Sequence, residues 1–331
     1  MRLPIALAAA LLAALPSVAQ EACPNRGDLD TPFCDLDGDL LADTPKDPKR
    51  LKDPETIFFT NSPLDDPAVF NKLMQPYVDH LAQCTGRKVR YYDVYSSAAA
   101  IEAMRSGRMH IGTMSSGDTA FAVNVAGAIP IGIRGDASGP QGYQLWMIVK
   151  KVSPYQKLAD LKGKKVAHTS PSSNSGNLAP RALFPAEGLV PEKDYNVVFS
   201  GKHENSIMGV SNGDYDAAPI AHDLLVRMAE RGVVKMDDFR IIWKSPNFAP
   251  GGLSMAHDLA PALQQKIREC TYSFRYPPDM QKGFQGADRW LPIDFKRDWE
   301  IVRRVAAESG QAYNKPAFDK EKARAEAAAK K

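Results

Sequence analysis

Short apolar runs and longer segments with helical spacing alternate along most of the chain. In the first half, a turn is predicted at residues 115–117, and apolar residues at every third or fourth position predict helices from Pro67, at 98–105 and from Thr119. Three apolar runs predict strands of this unit, at residues 57–60, 89–94 and 110–114, and a fourth, at residues 143–149, predicts a strand that leads out of it. Because strands and helices alternate, the strands of this unit are expected to pair in parallel.

The second half of the chain repeats this alternation. Four further strands are predicted, at residues 166–168, 195–199, 215–219 and 240–243. Helices are predicted to begin at Gly176 and to cover residues 204–211, 223–231 and 260–274. Residues 252–257 are expected to be extended, and residues 319–331 to form a polar tail that is either helical or frayed. With 331 residues, the chain is long enough for two domains.

The first nineteen residues have the pattern of an export signal. Arg2 precedes an apolar run at residues 5–15, and Ser17-Val18-Ala19 matches a small-x-small cleavage site. The run is too short to span a bilayer, and residues 20–23 match a lipoprotein signal poorly. We therefore expect a soluble exported protein that begins at Gln20.

An Asp- and Pro-rich segment, residues 20–53, follows the signal. Its carboxylates occupy positions 1, 3, 5 and 9 of a loop: Asp35, Asp37, Asp39 and Asp43. This spacing resembles the calcium loops of thrombospondin type 3 and EF-hand domains, and calcium prefers oxygen ligands. Position 12 is Lys46, where an acid is expected, so a solvated acidic loop is the alternative. In either case the role is structural, and no catalytic cofactor is expected.

The four cysteines are even in number, which favours two disulfides in an exported chain. Three pairings are possible. Short separation favours Cys23–Cys34, which leaves Cys84–Cys270. No cysteine has a second cysteine or a histidine at the spacing of metal ligands.

The charge distribution and the missing catalytic motifs argue against nucleic-acid binding and against catalysis. The net charge is +3 without a basic block, so nucleic acid is not an expected partner. The sequence has no nucleophile elbow, zinc motif or convincing pair of carboxylates, so an enzyme is not expected.

Residues 162–181 carry the chemistry that distinguishes this chain. A short strand leads into a loop of serine, threonine and asparagine residues, and Gly176 then begins a helix. Backbone N–H groups and the helix dipole make such a loop a cradle for an oxyanion, with hydroxyls completing it. Taken alone, the loop could equally be a solvated turn with a helix cap.

Five short sequence segments, in the same order along the chain, resemble the phosphonate-binding branch of type II periplasmic solute-binding proteins. They are residues 101–107, 158–167, 173–180, 201–206 and 242–246, and the resemblance covers roughly residues 56–275. It implies an α/β fold of two lobes, each a mixed sheet flanked by helices, with the ligand in the cleft between them. The implied first lobe is 54–148 plus 250–331, and the second is 149–249.

The resemblance also implies ligand-binding residues. The family's Ser/Thr/Ser tripeptide matches Ser173, Asn174 and Ser175, followed by Gly176. The family's histidine matches His203, which could otherwise be a helix-cap residue. The family's acidic residue corresponds to Asp223.

The first lobe departs from the family pattern. The aromatic residues that close over aminoethylphosphonate are missing, so Ser115, Ser116 and Asn61 are candidates from loop position. Where the family has an acid that would face an ammonium group of the ligand, this chain has Gly251-Gly252. We therefore expect a cleft with few charges and a small oxyanion rather than aminoethylphosphonate.

The expected function is the periplasmic binding component of an ABC importer for a phosphonate, phosphite or phosphate. Its partners would be the oxyanion and an ABC permease in the inner membrane, with the protein acting as a monomer. Two alternatives stay open: a sensor of the same fold that presents bound oxyanion to a membrane sensor kinase, and a binding protein repurposed for a ligand without phosphorus.

Overall fold

The computed structural model describes residues 23–61 and 67–329 and divides them between two mixed sheets flanked by helices. The predicted signal lies outside these residues. Among the described helices, none combines the length and apolar character needed to cross a membrane.

The strands of the described chain follow the predicted alternation with shifted ends. They are β1 (Thr56–Asn61), β2 (Lys88–Tyr91), β3 (Ile111–Thr113), β4 (Ala128–Asp136), β5 (Gly139–Pro140), β6 (Leu145–Lys150), β7 (Lys165–His168), β8 (Asn196–Phe199), β9 (Ala217–Ala221), β10 (Phe239–Lys244), β11 (Leu253–Ala256) and β12 (Arg289–Leu291). The sequence did not predict β4, β5 or β12.

The α-helices of the described chain are α1 (Pro67–Thr85), α2 (Ser97–Arg105), α3 (Ser116–Ala126), α4 (Ala179–Leu183), α5 (His203–Asn212), α6 (His222–Glu230), α7 (Pro261–Ser273), α8 (Pro278–Gly283), α9 (Phe295–Asp298), α10 (Glu300–Glu308) and α11 (Lys315–Ala329). Helix α3 begins at Ser116 and not at Thr119, because the Ser115 side chain accepts the Asp118 N–H and caps it. The residues predicted as a turn are therefore its cap and first turn.

The first sheet has the order β12-β4-β11-β3-β1-β2, with β5 paired to β4. Strand β1 pairs in parallel with β2 and β3, as the alternation predicted. The prediction of parallel pairing fails at β11, which returns from the far end of the chain and runs antiparallel to both β3 and β4. The sheet is therefore mixed, as the resemblance implied.

The second sheet has the order β10-β6-β9-β7-β8 and is also mixed. Strand β7 is parallel to β8 and β9, whereas β6 is antiparallel to β9 and β10. We call the two sheets with their helices the first and second lobes. The predicted lobe boundaries stay predictions; β6, through which the first boundary passes, pairs entirely within the second sheet.

Two neighbouring segments connect the lobes. Tyr143 and Phe248 form an antiparallel bridge, and the Gln144 side chain donates to the Ser245 carbonyl at 3.0 Å. Because the crossing segments are bonded to each other, they can act together as a hinge.

Both predicted disulfides are present. Cys23 pairs with Cys34, and Cys84 pairs with Cys270. The second bridge joins the end of α1 to α7, where Tyr77 and Thr271 also share a buried hydrogen bond of 2.8 Å. The first lobe is thus covalently closed across 186 residues of sequence.

The acidic loop gathers three of the four predicted carboxylates. Oxygen atoms of Asp35, Asp37 and Asp39 lie within 4.8 Å of one another. Asp43 does not belong to this group and accepts the Leu36 N–H at 2.8 Å. The Asp35 carboxylate already accepts backbone N–H groups from Gly38, Asp39 and Leu40, as in a turn. Calcium binding stays a prediction.

Candidate ligand site between the lobes

A cavity of about 100 Å³ lies between the lobes, beyond the carboxyl ends of β3, β7 and β9. Ligands of open α/β folds bind at this edge of the sheet, where loops and helix starts converge. Seven of the predicted site residues line it: Ser115, Ser116, Ser173, Asn174, Ser175, His203 and Asp223. The volume suits a small polar ligand better than a drug-sized one.

His203 is the centre of the second-lobe wall. Its Nε2 lies 3.3 Å from the hydroxyls of both Ser173 and Ser175. Its Nδ1 accepts the Ala221 N–H at 3.3 Å, so the ring proton is on Nε2, towards the serines. Burial lowers the pKa of His203 to about 4, which keeps the ring neutral at physiological pH. His203 is the first residue of α5, but its side chain faces the cavity.

Asn174 and Tyr143 join this wall to the hinge. The Asn174 Nδ2 donates to the Tyr143 hydroxyl at 2.9 Å, and that hydroxyl also engages Ser116 and Ser175. The buried Asn174 Oδ1 has no hydrogen-bond partner among the described residues. An unpaired buried polar atom costs free energy, which a ligand that donates a hydrogen bond to the Asn174 Oδ1 would recover.

The Ser-rich loop owes its shape to a local cap. The Ser173 Oγ accepts the Gly176 N–H at 3.1 Å, and a π-helical turn, Asn174–Leu178, continues into α4. Gly176 itself does not line the cavity. A Cβ at this position would overlap the Thr169 side chain, so its function is close packing behind the loop.

The first lobe contributes hydroxyls that are already bonded. The Ser115 Oγ donates to Asp118 at 2.7 Å, and the Ser116 Oγ donates to the Ala249 carbonyl at 2.6 Å. Asn61 was predicted here but is not among the lining residues. Its amide instead bonds to Asn71 at 2.8 Å and to Thr113 at 2.9 Å.

The cavity also carries charges, contrary to the sequence prediction. Arg227 donates to Asp223 at 2.7 Å, and Arg134 from β4 lies near both. Burial alone would raise the pKa of Asp223, but Arg227 and Arg134 outweigh it and lower the pKa to about 2. One ionised carboxylate and two guanidinium groups therefore line the same space.

Sequence reasoning missed Arg134, Tyr143 and Arg227. Arg227 follows Asp223 by four residues, a spacing that pairs charges on a helix. Arg134 is a lone cation in the apolar run of β4. Both signals are visible in the sequence. Tyr143 carries no local signal, because only the hinge brings it to the cavity.

A second contact between the lobes lies beside the Ser-rich loop. The Ser172 Oγ is 2.5 Å from a Glu321 carboxylate oxygen of α11 and 3.2 Å from Asp118 of α3. A hydroxyl has one proton to donate, so two ionised carboxylates cannot both be satisfied. Burial, with the charge of Asp118, raises the pKa of Glu321 to about 7.

We expect ligand affinity to fall as pH rises through the range set by Glu321. When the lobes separate, its pKa should return towards 4.5, so closing takes up a proton between about pH 4.5 and 7. Within this pH range the ligand affinity falls by up to about tenfold per pH unit, and above pH 7 it falls no further. The measurement is the ratio of wild-type to Glu321→Gln affinity at each pH, in which titration of the ligand cancels. A ratio that does not change with pH would contradict this role.

The chain is similar in sequence to known periplasmic binding proteins. Residues 59–299 match the family model described as "ABC transporter, phosphonate, periplasmic substrate-binding protein". The chain is 30% identical over 265 residues to the phosphate-import protein PhnD of Mycolicibacterium smegmatis, covering 75% of this chain and 81% of the relative. It is 24% identical over 231 residues to the phosphonates-binding periplasmic protein of Escherichia coli, covering 69% and 68%.

Solved structures show the same fold. PhnD1 from Prochlorococcus marinus, in complex with methylphosphonate, superposes with a TM-score of 0.70 at 16% identity, covering 78% of this chain and 100% of that one. A binding protein component of an ABC phosphonate transporter from Pseudomonas aeruginosa gives 0.67 at 22% identity, covering 83% and 97%. The predicted two-lobed type II fold is therefore confirmed.

Proposed function

Because the chain belongs to the family of periplasmic phosphonate-binding components of ABC transporters, we propose that it binds a small phosphorus oxyanion between its lobes and delivers it unchanged to a permease. Family members are substrate-binding transport proteins and not enzymes. The family also implies a periplasmic location. The match favours transport over the sensor role that the sequence left open.

The hydrogen-bond donors of the cavity support an oxyanion as the ligand. The hydroxyls of Ser173 and Ser175, the Nε2–H of His203 and the Tyr143 hydroxyl converge on one small cavity. All four can donate hydrogen bonds, and donors fixed around one small cavity favour a ligand rich in acceptor oxygens. Phosphate, phosphite and phosphonates are such ligands.

The neutral His203 suits a tetrahedral oxyanion without fixing its charge. A neutral ring donates one hydrogen bond, while net positive charge in the cavity comes from the guanidinium groups. The unpaired Asn174 Oδ1 can accept a hydrogen bond from a ligand hydroxyl, so a singly protonated oxyanion would satisfy both kinds of group.

We expect the protein, unfolded and refolded to remove carried-over ligand, to be stabilised by a phosphorus oxyanion. At 100 times its dissociation constant, a ligand adds about 2.7 kcal/mol to the free energy of unfolding. Thermal unfolding would be followed with phosphate, phosphite, methylphosphonate, aminoethylphosphonate and sulfate. Ser175→Ala should weaken binding about 10- to 100-fold, the cost of a lost hydrogen bond to a charged group.

Ser211→Ala is the matched control, since this serine lies on α5 of the same lobe, outside the cavity. It should bind as the wild type does. If no phosphorus oxyanion raises the unfolding temperature, the proposed function is wrong. Equal losses in both serine variants would show that the Ser-rich loop is not the site.

A further inference from the structure

Arg134 has an unusual environment for a half-buried cation. Its guanidinium lies 4.5 Å from the centre of the Phe284 ring and lines the cavity between the lobes. Among the described residues, no hydrogen bond or ion pair engages its side chain, although a guanidinium carries five N–H donors. Burial lowers the pKa of Arg134, with the nearby Arg227 adding to the effect. A half-buried guanidinium without a hydrogen-bond partner in the protein leaves its N–H donors open to an anion in the cavity.

The nearest carboxylate does not supply that partner. Asp223 is bonded to Arg227 at 2.7 Å, and the backbone carbonyl of Asp223 accepts the Gln285 side chain at 2.9 Å. The three charged groups together carry a net charge of +1, because Asp223 is ionised. An ammonium group placed here would meet two guanidinium groups and a carboxylate that is already paired, so it would be repelled.

The cavity has two chemically different sides. The hydroxyl side consists of Ser173, Ser175, His203 and Tyr143, and these are linked by hydrogen bonds to one another. The guanidinium side consists of Arg134, Arg227 and Asp223. No hydrogen bond between the described residues joins the two sides directly. A ligand with one oxyanion head could occupy the first side and still leave Arg134 without an acceptor.

The guanidinium side also has room beyond it. A groove of about 640 Å³ adjoins the cavity, and Phe70 and Arg227 line both. Basic side chains of both lobes, Lys72, Arg231 and Lys282, line the groove, together with Glu230 and Asp279. The organic end of a ligand can therefore extend on this side, under a positive field, whereas the hydroxyl side is enclosed by the Ser-rich loop.

We propose that Arg134 forms a second anion-binding position, and that the preferred ligand is a phosphonate whose organic end carries a carboxylate. This inference rests on the proposed function, since the phosphonate head is assigned to the hydroxyl side. A guanidinium matches a carboxylate with two parallel hydrogen bonds, which explains an arginine at this position. Gly251 and Gly252 stand where the family resemblance implied an acid facing an ammonium group, which agrees with this selection against cations.

The test compares three probes by isothermal titration: phosphonoacetate, methylphosphonate and aminoethylphosphonate. We expect the wild type to bind phosphonoacetate at least about tenfold more tightly than methylphosphonate, the lower bound for a charge-assisted pair. Aminoethylphosphonate should bind least tightly. Arg134→Met should lower phosphonoacetate affinity at least about tenfold more than methylphosphonate affinity, and Arg134→Lys should retain part of the preference.

A structural role for Arg134 would give a different result. Methionine can keep the contact with Phe284 while removing a half-buried charge that has no hydrogen-bond partner in the described residues, so Arg134→Met should not lower the melting temperature of the ligand-free protein. An exposed arginine variant, Arg304→Met on α10, is the control and should bind all probes as the wild type does.

The outcomes separate the two proposals. Equal weakening of phosphonoacetate and methylphosphonate by Arg134→Met would overturn the second position, because the arginine would then contact the phosphonate itself. A wild type that binds phosphonoacetate no better than methylphosphonate would also overturn it. Failure of all three probes, together with phosphate and phosphite, would instead overturn the proposed function.

Discussion

Replacing Gly117 with alanine is expected to weaken ligand binding at least about 100-fold while the protein still folds. Gly117 lies in the first turn of α3, in the first lobe, against the backbone carbonyl of Ser172 in the second. A Cβ at this position would overlap that carbonyl oxygen, so the lobes could not close as they do here. Reducing the closed form to about 1% of molecules lowers apparent affinity about 100-fold.

Alanine is compatible with the helix itself, because Gly117 does not need a positive φ and alanine favours helices. The matched control is Gly252→Ala, where an added Cβ would meet side-chain atoms at 3.4 Å or more, an ordinary contact. Affinity would be measured by isothermal titration, and closure by X-ray scattering with and without ligand. Wild-type affinity in Gly117→Ala would show that this interlobe contact is not part of the bound state.

Replacing Cys84 and Cys270 together with alanine is expected to lower the free energy of unfolding by about 5 kcal/mol. The bridge spans 186 residues, so breaking it releases a long loop in the unfolded chain. Cys270 is also fully buried in the core of the first lobe, and its truncation removes packing there. Denaturant unfolding, followed by fluorescence of Trp290 and Trp299 in the same lobe, measures the change.

The second disulfide provides the comparison. Cys23 and Cys34 close a loop of 11 residues, so their removal should cost less, about 2 to 3 kcal/mol. The acidic loop should loosen while the two lobes remain folded. If loss of Cys84–Cys270 costs no more than loss of Cys23–Cys34, the long bridge is not a main source of stability.

Much of the fold could be predicted because local patterns and tertiary structure agree. Helix α1 places Met74, Tyr77, Val78 and Leu81 in the core at the spacing of one helical face. Strand β4 escaped prediction because Pro130 and two glycines interrupt its apolar run, and proline is unusual in a central strand. Its partner β11 shifts register beside Pro130, between Leu253 and Ser254, which accommodates the missing N–H.

The site was predictable where one loop supplies several groups. Ser173, Asn174 and Ser175 follow β7 directly, and His203 begins α5 just after β8, so chain order and strand ends brought them together. The opposite side of the cavity depends on pairing across the lobes. Arg134 is positioned by β4 between β11 and β12, strands that come from the last third of the chain. No local spacing contains that information.

A crystal structure of the refolded protein with methylphosphonate would test the central claim most directly. We predict one ligand in the cavity between the lobes, with phosphonate oxygens about 3 Å from the hydroxyls of Ser173 and Ser175 and from the His203 Nε2. The lobes should be closed around it, with Gly117 against Ser172. A saturated crystal in which the phosphonate lies elsewhere, or in which the cavity contains no phosphonate, would contradict the account.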